Sequence, residues 1–323
     1  MVAQTQLVGI ARLAASGELL EHKRRVAYHS LPSRKWLNRC HSTRVPFDWT
    51  INPYRGCEFG CKYCYARYTH EFMELREATS FETEIYAKDW DPHAFLEELR
   101  AVRPGHIIAI GTATDPYQPA ERRFFRTRQA LDLLCQLCGV SICITTKSNL
   151  VARDCPQLEK LARHNQVYVT LTVTTLDGEL ARLLEPFAPR PDLRIEAVAK
   201  LAAAGIPTGV ISSPVLPFLT DSEQNLASVA RAAKQAGAHH FGAGVLFLKP
   251  CAQRVFFPFL AERFPEYVER YERLYGDKAF LQGAYPKQIR ERVARIRTQA
   301  GFPFWDRKPI LASPPPATQM SLF

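Results

Sequence analysis

The sequence has no apolar run long enough to cross a membrane. Such a span needs about 20 consecutive apolar residues, and the stretch 7–20 is interrupted by Arg12 and Glu18. The basic group 23–25 follows this stretch, which is the reverse of the order in a secretory leader. The nine cysteines are dispersed along the chain and fit a reducing compartment better than a disulfide framework. The sequence therefore predicts a cytoplasmic protein with no membrane partner.

The composition is that of a globular protein with a large core. The 323 residues are 46% hydrophobic and 23% charged. The formal net charge is +10 at pH 7. An excess of this size favours a polyanionic partner such as DNA, although a basic surface that serves only solubility explains it as well.

The most informative feature of the chain is a C-x3-C-x2-C loop in residues 52–67. No fourth cysteine lies near it in the sequence. The loop contains Cys57, Cys61 and Cys64. An iron–sulfur cube usually takes four protein thiolates, so three would leave one iron open for chemistry. Gly56 and Gly60 supply the backbone freedom that a tight loop around a cube requires. The loop therefore predicts an iron–sulfur cluster with an open iron.

A structural zinc site is the alternative interpretation of this loop. Zinc takes four Cys or His ligands, and His70 would complete a Cys3His set. However, no second Cys or His pair follows at the distance typical of zinc fingers. A zinc-stabilised module that binds nucleic acid is thus the non-enzymatic alternative.

Short apolar runs alternate with amphipathic helical patterns through the middle of the chain. Strands are predicted at 49–53, 107–110, 140–146, 167–173, 208–212 and 241–247. Helices are predicted at 92–102, 124–138, 155–164, 193–204 and 225–236. This alternation predicts an α/β fold with a parallel sheet, and six units predict a partial (β/α)6 TIM-like barrel. Active sites of such barrels lie at the carboxyl ends of the strands, and the cysteine loop follows the first strand.

Four segments are predicted. Residues 1–45 form an irregular basic N-terminal arm, 46–250 the partial barrel, 251–311 a helical extension rich in arginine and aromatic residues, and 312–323 a Pro-rich tail. The extension carries Arg290, Arg292, Arg295 and Arg297. These arginines indicate contact with DNA phosphates, although a solvated helix face is an equal alternative.

The last five residues resemble the short motif by which bacterial proteins dock on the DNA sliding clamp. Gln319 would supply hydrogen bonds, and Met320, Leu322 and Phe323 would fill an apolar pocket. The stretch 313–316 begins a stiff spacer that lets the motif reach a partner. The alternative is that Leu322 and Phe323 pack back onto the domain.

Several motifs resemble the radical S-adenosylmethionine (SAM) superfamily and, within it, the branch that is similar to spore photoproduct lyase. The cysteine loop carries the superfamily resemblance, with the aromatic Tyr63 before its last cysteine. The branch resemblance spans about residues 45–250. Its motifs are Tyr54-Arg-Gly-Cys57, Cys64-Tyr-Ala-Arg67, Gly111-Thr-Ala-Thr-Asp-Pro-Tyr-Gln-Pro-Ala-Glu121, Thr145-Thr-Lys-Ser148, Arg194-Ile-Glu-Ala197, Ala204-Gly-Ile-Pro-Thr-Gly209 and Ser213-Pro-Val-Leu-Pro217.

The resemblance implies a [4Fe–4S] cluster on the three cysteines and SAM bound to its open iron. One electron, from a reductant such as flavodoxin or ferredoxin, would cleave SAM to methionine and a 5′-deoxyadenosyl radical. Tyr63 belongs to the implied cofactor site. The segment with Gly111, Thr112 and Thr114 would contact the SAM amino group, and Lys147 its carboxylate. Thr172 and Thr174 would hydrogen-bond to the ribose or the carboxylate, although strand-end residues of this kind also serve as plain polar caps.

One departure from the branch concerns the hydrogen donor. The lyase carries a hydrogen-donating cysteine just past the second strand, where this chain has Gly111 and Thr112. Tyr117 in the same loop is the candidate donor here. The sequence therefore predicts a radical SAM enzyme that repairs or modifies a nucleobase in DNA. Modification of RNA or of a small molecule is the alternative enzymatic function.

Overall fold

The structure is a computed structural model that describes residues 7–303 with the exception of Arg24, Arg34 and Arg44. Within this part of the chain, eleven strands are numbered in chain order. They are β1 (Leu19–Lys23), β2 (Val26–Leu31), β3 (Leu37–Arg39), β4 (Trp49–Ile51), β5 (Tyr54–Arg55), β6 (Glu84–Lys88), β7 (Ile107–Ile110), β8 (Ser141–Thr146), β9 (Gln166–Thr172), β10 (Thr208–Val215) and β11 (His240–Val245).

The helices of the described part are numbered in the same way. They are α1 (Gly9–Ala15), α2 (Tyr68–Glu71), α3 (Ser80–Thr83), α4 (Pro92–Leu99), α5 (Glu121–Phe124), α6 (Arg126–Leu134), α7 (Cys155–Ala162), α8 (Gly178–Leu184), α9 (Pro191–Ala203), α10 (Glu223–Gln235), α11 (Pro250–Arg263), α12 (Val268–Tyr275) and α13 (Ala284–Gln299). Short 3-10 helices span Tyr65–Arg67, Asn149–Asp154 and Pro265–Tyr267.

The main sheet has the strand order β11-β10-β9-β8-β7-β4-β3. The six strands from β4 to β11 in this sheet are parallel and follow one another in chain order. The seventh strand, β3, is antiparallel and lies at one edge. β11 lies at the other edge, so the sheet curls without closing. The predicted α/β fold with a partial six-stranded barrel is confirmed.

Alternate residues of the parallel strands face the outer helices and form a core between the sheet and these helices. Ile142, Val169 and Val210 are fully buried and belong to the large core shared with the outer helices. Helix ends follow their sequence signals: the Asp91 carboxylate accepts hydrogen bonds from the backbone N–H groups at the start of α4. Gly205, with φ of +71°, follows α9 and lets the chain turn into β10.

The segment 1–45 differs from the irregular arm expected from its composition. Its described residues form α1 and three strands, and β2 pairs in parallel with β6 in a second sheet of four strands. Tyr28 and Leu31 of β2 are fully buried. The basic residues between these elements dominate the composition of the segment, so its short strands were not predicted. Since β3 also joins the main sheet, the segment is an integral part of the fold.

The segment after the barrel is helical, as expected, in its described portion: it contains α11, α12 and α13. No helix of the described residues is long and apolar enough to span a membrane. The tail with Gln319, Met320, Leu322 and Phe323 lies outside the described residues. Docking on a sliding clamp therefore stays a prediction.

Candidate active site

The cysteine loop follows β5 and lies against the carboxyl end of the main sheet. Cys57 and Cys61 are buried, and Cys64 is half-buried. The loop is held through its backbone: Cys57 N–H donates to the Phe81 carbonyl (2.8 Å), and Lys62 N–H donates to the Leu184 carbonyl (2.9 Å). These contacts fix the positions of the thiols before any ligand binds.

Gly56 is needed for this conformation. Its φ of +78° lies in the left-handed region, and a Cβ there would come within 2.7 Å of the Glu84 carbonyl oxygen. The Gly56 carbonyl in turn accepts a hydrogen bond from the Gln118 side chain (2.9 Å). The tight turn predicted for the loop is therefore present.

The three thiols share one electrostatic environment. Burial raises the pKa of Cys57 well above its usual range, and the nearby Asp115, Cys61 and Cys64 raise it further. Burial also raises the pKa of Cys61 to about 12, although the Lys147 ammonium opposes the shift. Thiolates at this loop therefore need compensating positive charge, which a metal ion supplies most directly.

The chemistry of the donor set fits an iron–sulfur cluster, because thiolates are the ligands that such clusters take and one loop carries three cysteines, two of them buried. Among the described residues, no three His, Cys, Asp or Glu side chains lie close enough together to hold a single metal ion.

His70 does not complete a zinc site in this structure. Its Nε2 is 3.0 Å from the Glu84 carbonyl oxygen, and its ring packs edge-on against Phe81. Burial lowers the pKa of His70 to about 4, so the ring is neutral. It is a core histidine, which weakens the alternative of a zinc-stabilised module.

The loop after β7 meets the carboxyl end of β8 through a buried carboxylate. Asp115 accepts hydrogen bonds from the Thr146 hydroxyl (2.6 Å) and from the backbone N–H of Lys147 (2.7 Å). Gly111, with φ of +87°, allows this approach, since a Cβ there would lie 2.5 Å from the Thr145 carbonyl oxygen. This crossing of two loops forms one wall of the site.

Two of the predicted SAM contacts in this loop are engaged in holding it. The Thr112 hydroxyl accepts a hydrogen bond from the Asn52 side chain (3.0 Å). The buried Thr114 hydroxyl donates to the Tyr54 carbonyl (3.0 Å). Their side chains position the loop, and their contact with SAM stays a prediction.

Lys147 lies among the charges of the cysteine loop. Burial by itself would lower the pKa of its ammonium, but the neighbouring Cys61 and Glu185 outweigh burial and raise the pKa. The ammonium lies 5.7 Å from the centre of the Tyr63 ring. The structure thus brings Lys147 and Tyr63 together beside the cysteines, and their contact with SAM stays a prediction.

A buried ion pair that the sequence did not reveal lies next to Tyr63 and Lys147. The Arg194 guanidinium and the Glu185 carboxylate are 2.5 Å apart, with side chains 1% and 0% exposed. The Tyr63 hydroxyl donates to the same carboxylate, and so does the Thr174 hydroxyl (3.2 Å). Arg194 also donates to the Thr172 carbonyl (3.0 Å). Arg194 lies in a motif of the branch, but only contacts distant in sequence show its partner.

The last predicted site residues are two threonines at the end of β9 and a tyrosine in the loop after β7. Thr172 and Thr174 are buried at the carboxyl end of β9. Tyr117 is also buried, but burial and the charges of Asp154 and Glu121 raise the pKa of its hydroxyl. Asp154 and Glu121 are therefore charged neighbours of the Tyr117 hydroxyl, and the role of Tyr117 as a hydrogen donor stays a prediction.

Comparison with known proteins decides the family. Residues 51–230, more than half of the chain, match the family model of the radical SAM superfamily. The chain belongs to the radical SAM superfamily. The match begins in β4 and includes the cysteine loop and the main sheet as far as α10. This assigns a [4Fe–4S] cluster and SAM as the implied cofactors of the site.

Two relatives of this radical SAM protein carry the name of uncharacterized proteins. An uncharacterized protein of Mycobacterium tuberculosis (strain H37Rv) is 34% identical over 275 residues, which cover 84% of this chain and 80% of the relative. An uncharacterized protein of Methanocaldococcus jannaschii is 30% identical over 231 residues, 70% of this chain and 81% of the relative.

Solved structures agree on the fold. Spore photoproduct lyase complexed with dinucleoside spore photoproduct superposes with a TM-score of 0.62 over 85% of this chain and 79% of the lyase chain. The identity is 13%. A lyase mutant with bound AdoMet and the dinucleoside superposes with a TM-score of 0.57 over 83% of this chain and 77% of that chain, at 14% identity. The fold is therefore that of the lyase.

The residues and the family together describe a radical SAM enzyme. Cys57, Cys61 and Cys64 would hold the cluster. The chemistry supplied by the bound group is reductive cleavage of SAM to a 5′-deoxyadenosyl radical. The chain's own residues hold the thiols in place, provide positive charge through Lys147 and shield the site from water with buried side chains.

We expect each of the variants Cys57→Ala, Cys61→Ala and Cys64→Ala to lose the cluster after anaerobic reconstitution, because each removes one of only three thiolates. Iron and sulfide analysis measures this loss, and dithionite-dependent formation of 5′-deoxyadenosine should stop with it. Cys138→Ala, at an exposed cysteine, is the control and should keep both. Cluster content at the wild-type level in any of the first three variants would refute the ligand assignment.

Lys147→Ala should weaken SAM binding by about 1.5–3 kcal/mol, the contribution of a hydrogen bond to a charged group. The reason is that its ammonium lies beside the cysteine loop, where it acts on the pKa of Cys61, and is placed to pair with the SAM carboxylate. Titration of the reconstituted protein with SAM measures the change, and iron content should stay the same. Lys160→Ala, at an exposed position on α7, should leave the affinity unaltered. If both variants bind SAM like the wild type, Lys147 is not a SAM ligand.

Glu185→Gln should destabilise the protein by about 3–5 kcal/mol, because the substitution leaves the Arg194 guanidinium buried without its counter-charge. Urea unfolding of the cluster-free protein measures the free energy. Asp192→Asn breaks the Arg190–Asp192 pair, whose side chains are 63% and 54% exposed, and should change stability little. Similar effects of the two substitutions would show that the buried pair has no special role.

Proposed function

We propose that this radical SAM enzyme acts on a nucleobase in nucleic acid, with DNA repair or DNA base modification as its reaction class. The observation that carries the proposal is a cavity at the open edge of the main sheet. It has a volume of about 960 Å³ and lies between β10, β11 and α13. This volume is at the upper end of the range for small-molecule sites and accommodates a nucleotide.

The lining of the cavity suits an anionic ligand that must approach the backbone closely. Gly242 and Gly244 of β11 leave the sheet surface low, and Ser213 of β10 offers a hydroxyl. Arg290 and Arg297 of α13 line the opposite wall. A guanidinium binds a phosphate with two parallel hydrogen bonds. A phosphodiester is therefore a better match than a neutral metabolite.

Three of the four arginines predicted to contact DNA are already engaged with other described residues. Arg295 pairs with Glu223 (2.8 Å), and Arg292 donates to the Asp221 carbonyl. Arg297 donates to the carbonyls of Phe241 (2.6 Å) and Pro303 (2.7 Å). These bonds attach α13 to the sheet and to α10. Arg290 is exposed and has no hydrogen bond or ion pair to another described residue.

Two further observations support a nucleic-acid substrate. The net charge of +10 favours a polyanion. The lyase that shares this fold has been solved with a dinucleoside lesion, which supports the same substrate class here. At 13% identity, the likeness does not extend to the lesion itself. The sequence resemblance places Gly111 and Thr112 where the branch is expected to carry a donor cysteine, which favours a different reaction.

Arg290→Ala should weaken DNA binding and flatten its salt dependence. Each phosphate contact contributes about 0.7–0.9 to the slope of log affinity against log salt concentration, so the loss of one contact should lower the slope by about that amount. Fluorescence anisotropy of a labelled oligonucleotide over a salt series measures it. Arg163→Ala, which removes an exposed charge just before β9 at the amino end of the sheet, is the matched control.

The reaction itself is tested with the reconstituted, reduced enzyme. Addition of DNA should stimulate formation of 5′-deoxyadenosine, since a bound substrate consumes the radical. The absence of DNA binding at low salt, together with no stimulation, would contradict the proposal and favour a small-molecule substrate. Stimulation by RNA alone would assign the enzyme to RNA modification.

A further inference from the structure

A group of aromatic side chains lies beside the cysteine loop and has no part in holding it. Phe247 and Phe280 stack with ring centroids 4.0 Å apart and planes inclined by 17°. Phe247 lies 5.8 Å from Tyr65, and Tyr65 lies 6.4 Å from Tyr68 in near-parallel orientation. The Lys249 ammonium is 3.8 Å from the centre of the Tyr68 ring. We call Tyr68, Phe247, Lys249 and Phe280 the aromatic platform.

Tyr65 connects the aromatic platform to the candidate active site. It directly follows Cys64, and its hydroxyl donates to the Thr112 carbonyl (2.5 Å) in the loop after β7. Phe247 comes two residues after β11 ends at Val245. Both connections place the platform at the carboxyl end of the sheet. A ligand on it would therefore lie next to the cluster loop.

The platform presents its rings to solvent. Within the platform, Phe280 is 54% exposed, and Tyr68 and Phe247 are half-buried. The adjoining Tyr65 is 39% exposed. Single exposed aromatic residues are common. Several adjoining rings with a cation among them form a contiguous patch, and such patches mark interaction sites.

The chemistry of the patch favours nucleotides. Nucleobases stack on aromatic rings whatever their sequence, and neighbouring phosphates pair with nearby cations. Lys249 is also the N-cap of the 14-residue helix α11, and the dipole of this helix adds to the positive potential. An apolar protein surface would instead bury the Lys249 ammonium without a counter-charge, which is unfavourable.

We infer that the aromatic platform holds an unstacked nucleobase of a single-stranded or locally opened nucleic acid, with an adjacent phosphate on Lys249. The inference rests on the proposed function and names the form of the substrate. Bases inside an intact duplex present no free face to an aromatic ring. The platform would thus select a strand whose bases are already unstacked and hold it beside the site.

The test uses the full-length protein and a 12-nucleotide single strand that carries one 2-aminopurine, whose fluorescence reports stacking. We expect Phe280→Leu and Phe247→Leu each to weaken binding about tenfold, the effect of losing one base–aromatic stack, and to restore 2-aminopurine fluorescence. Lys249→Gln should weaken binding and flatten its salt dependence. Phe125→Leu is the control, because Phe125 is also an exposed ring (40%) beside a cation but lies under the Arg153 guanidinium.

Three results would overturn the inference. The first is equal affinity of the wild type and the Phe280→Leu and Phe247→Leu variants for the strand, which would assign the rings to a protein partner. The second is tighter binding of the matching duplex than of the single strand. In both cases nucleic acid still binds, so the proposed function stands. The third is no binding of either form by the wild type, which removes the proposed function together with the platform.

Discussion

The candidate active site depends on one buried carboxylate. Glu185 follows α8, and its side chain contacts groups from three other parts of the chain: Tyr63 in the cysteine loop, Thr174 just past β9, and Arg194 in α9. The charges of Arg194 and Lys147 lower the pKa of this carboxyl despite its burial, so it is ionised. One anion thereby keeps two cations beside the thiols, where a neutral core would disfavour them.

This arrangement accounts for how a loop of three cysteines is prepared for a metal cluster. Burial raises the pKa of every thiol in the loop, which favours the neutral form. The Lys147 ammonium opposes that tendency at Cys61. Burial and the Lys147 ammonium thus act in opposite directions on the thiols, and bound iron would supply the further positive charge that thiolates need. Backbone contacts to Phe81 and Leu184 fix the loop in position independently of the charges.

The proposed substrate site depends on the open edge of the sheet. Because β11 pairs with β10 alone in the main sheet, the barrel leaves a side cavity, which α13 covers in part. Three arginines of α13 are bonded to their own protein, so the helix serves first to complete the fold. The sequence thus shows that several arginines lie on one helix, but it does not show which of them bond within the protein and which face a ligand. The platform near the same end of the sheet adds aromatic faces to the charge.

Several elements were predictable because they depend on local pattern. The strand predicted at 107–110 is Ile107–Ile110 in the structure, and the helix predicted at 155–164 is Cys155–Ala162. By contrast, β2 and β6 were missed. They pair across more than 50 residues, with Ala27 opposite Glu84, and neither has a strong apolar run of its own.

The sequence by itself determined the chemistry and the class of fold. Three cysteines within eight residues predict an iron–sulfur site with an open iron, which the resemblance to the radical SAM superfamily also implies, and alternating strand and helix patterns predict a parallel sheet. Only the tertiary structure decided the Glu185–Arg194 pair, the burial of Tyr117 beside Asp154 and Glu121, the availability of Arg290 and the stacking of Phe247 on Phe280. The reason is physical: propensity and periodicity act between neighbours in the chain, whereas ion pairs and ring stacks depend on which distant side chains the folded sheet brings together.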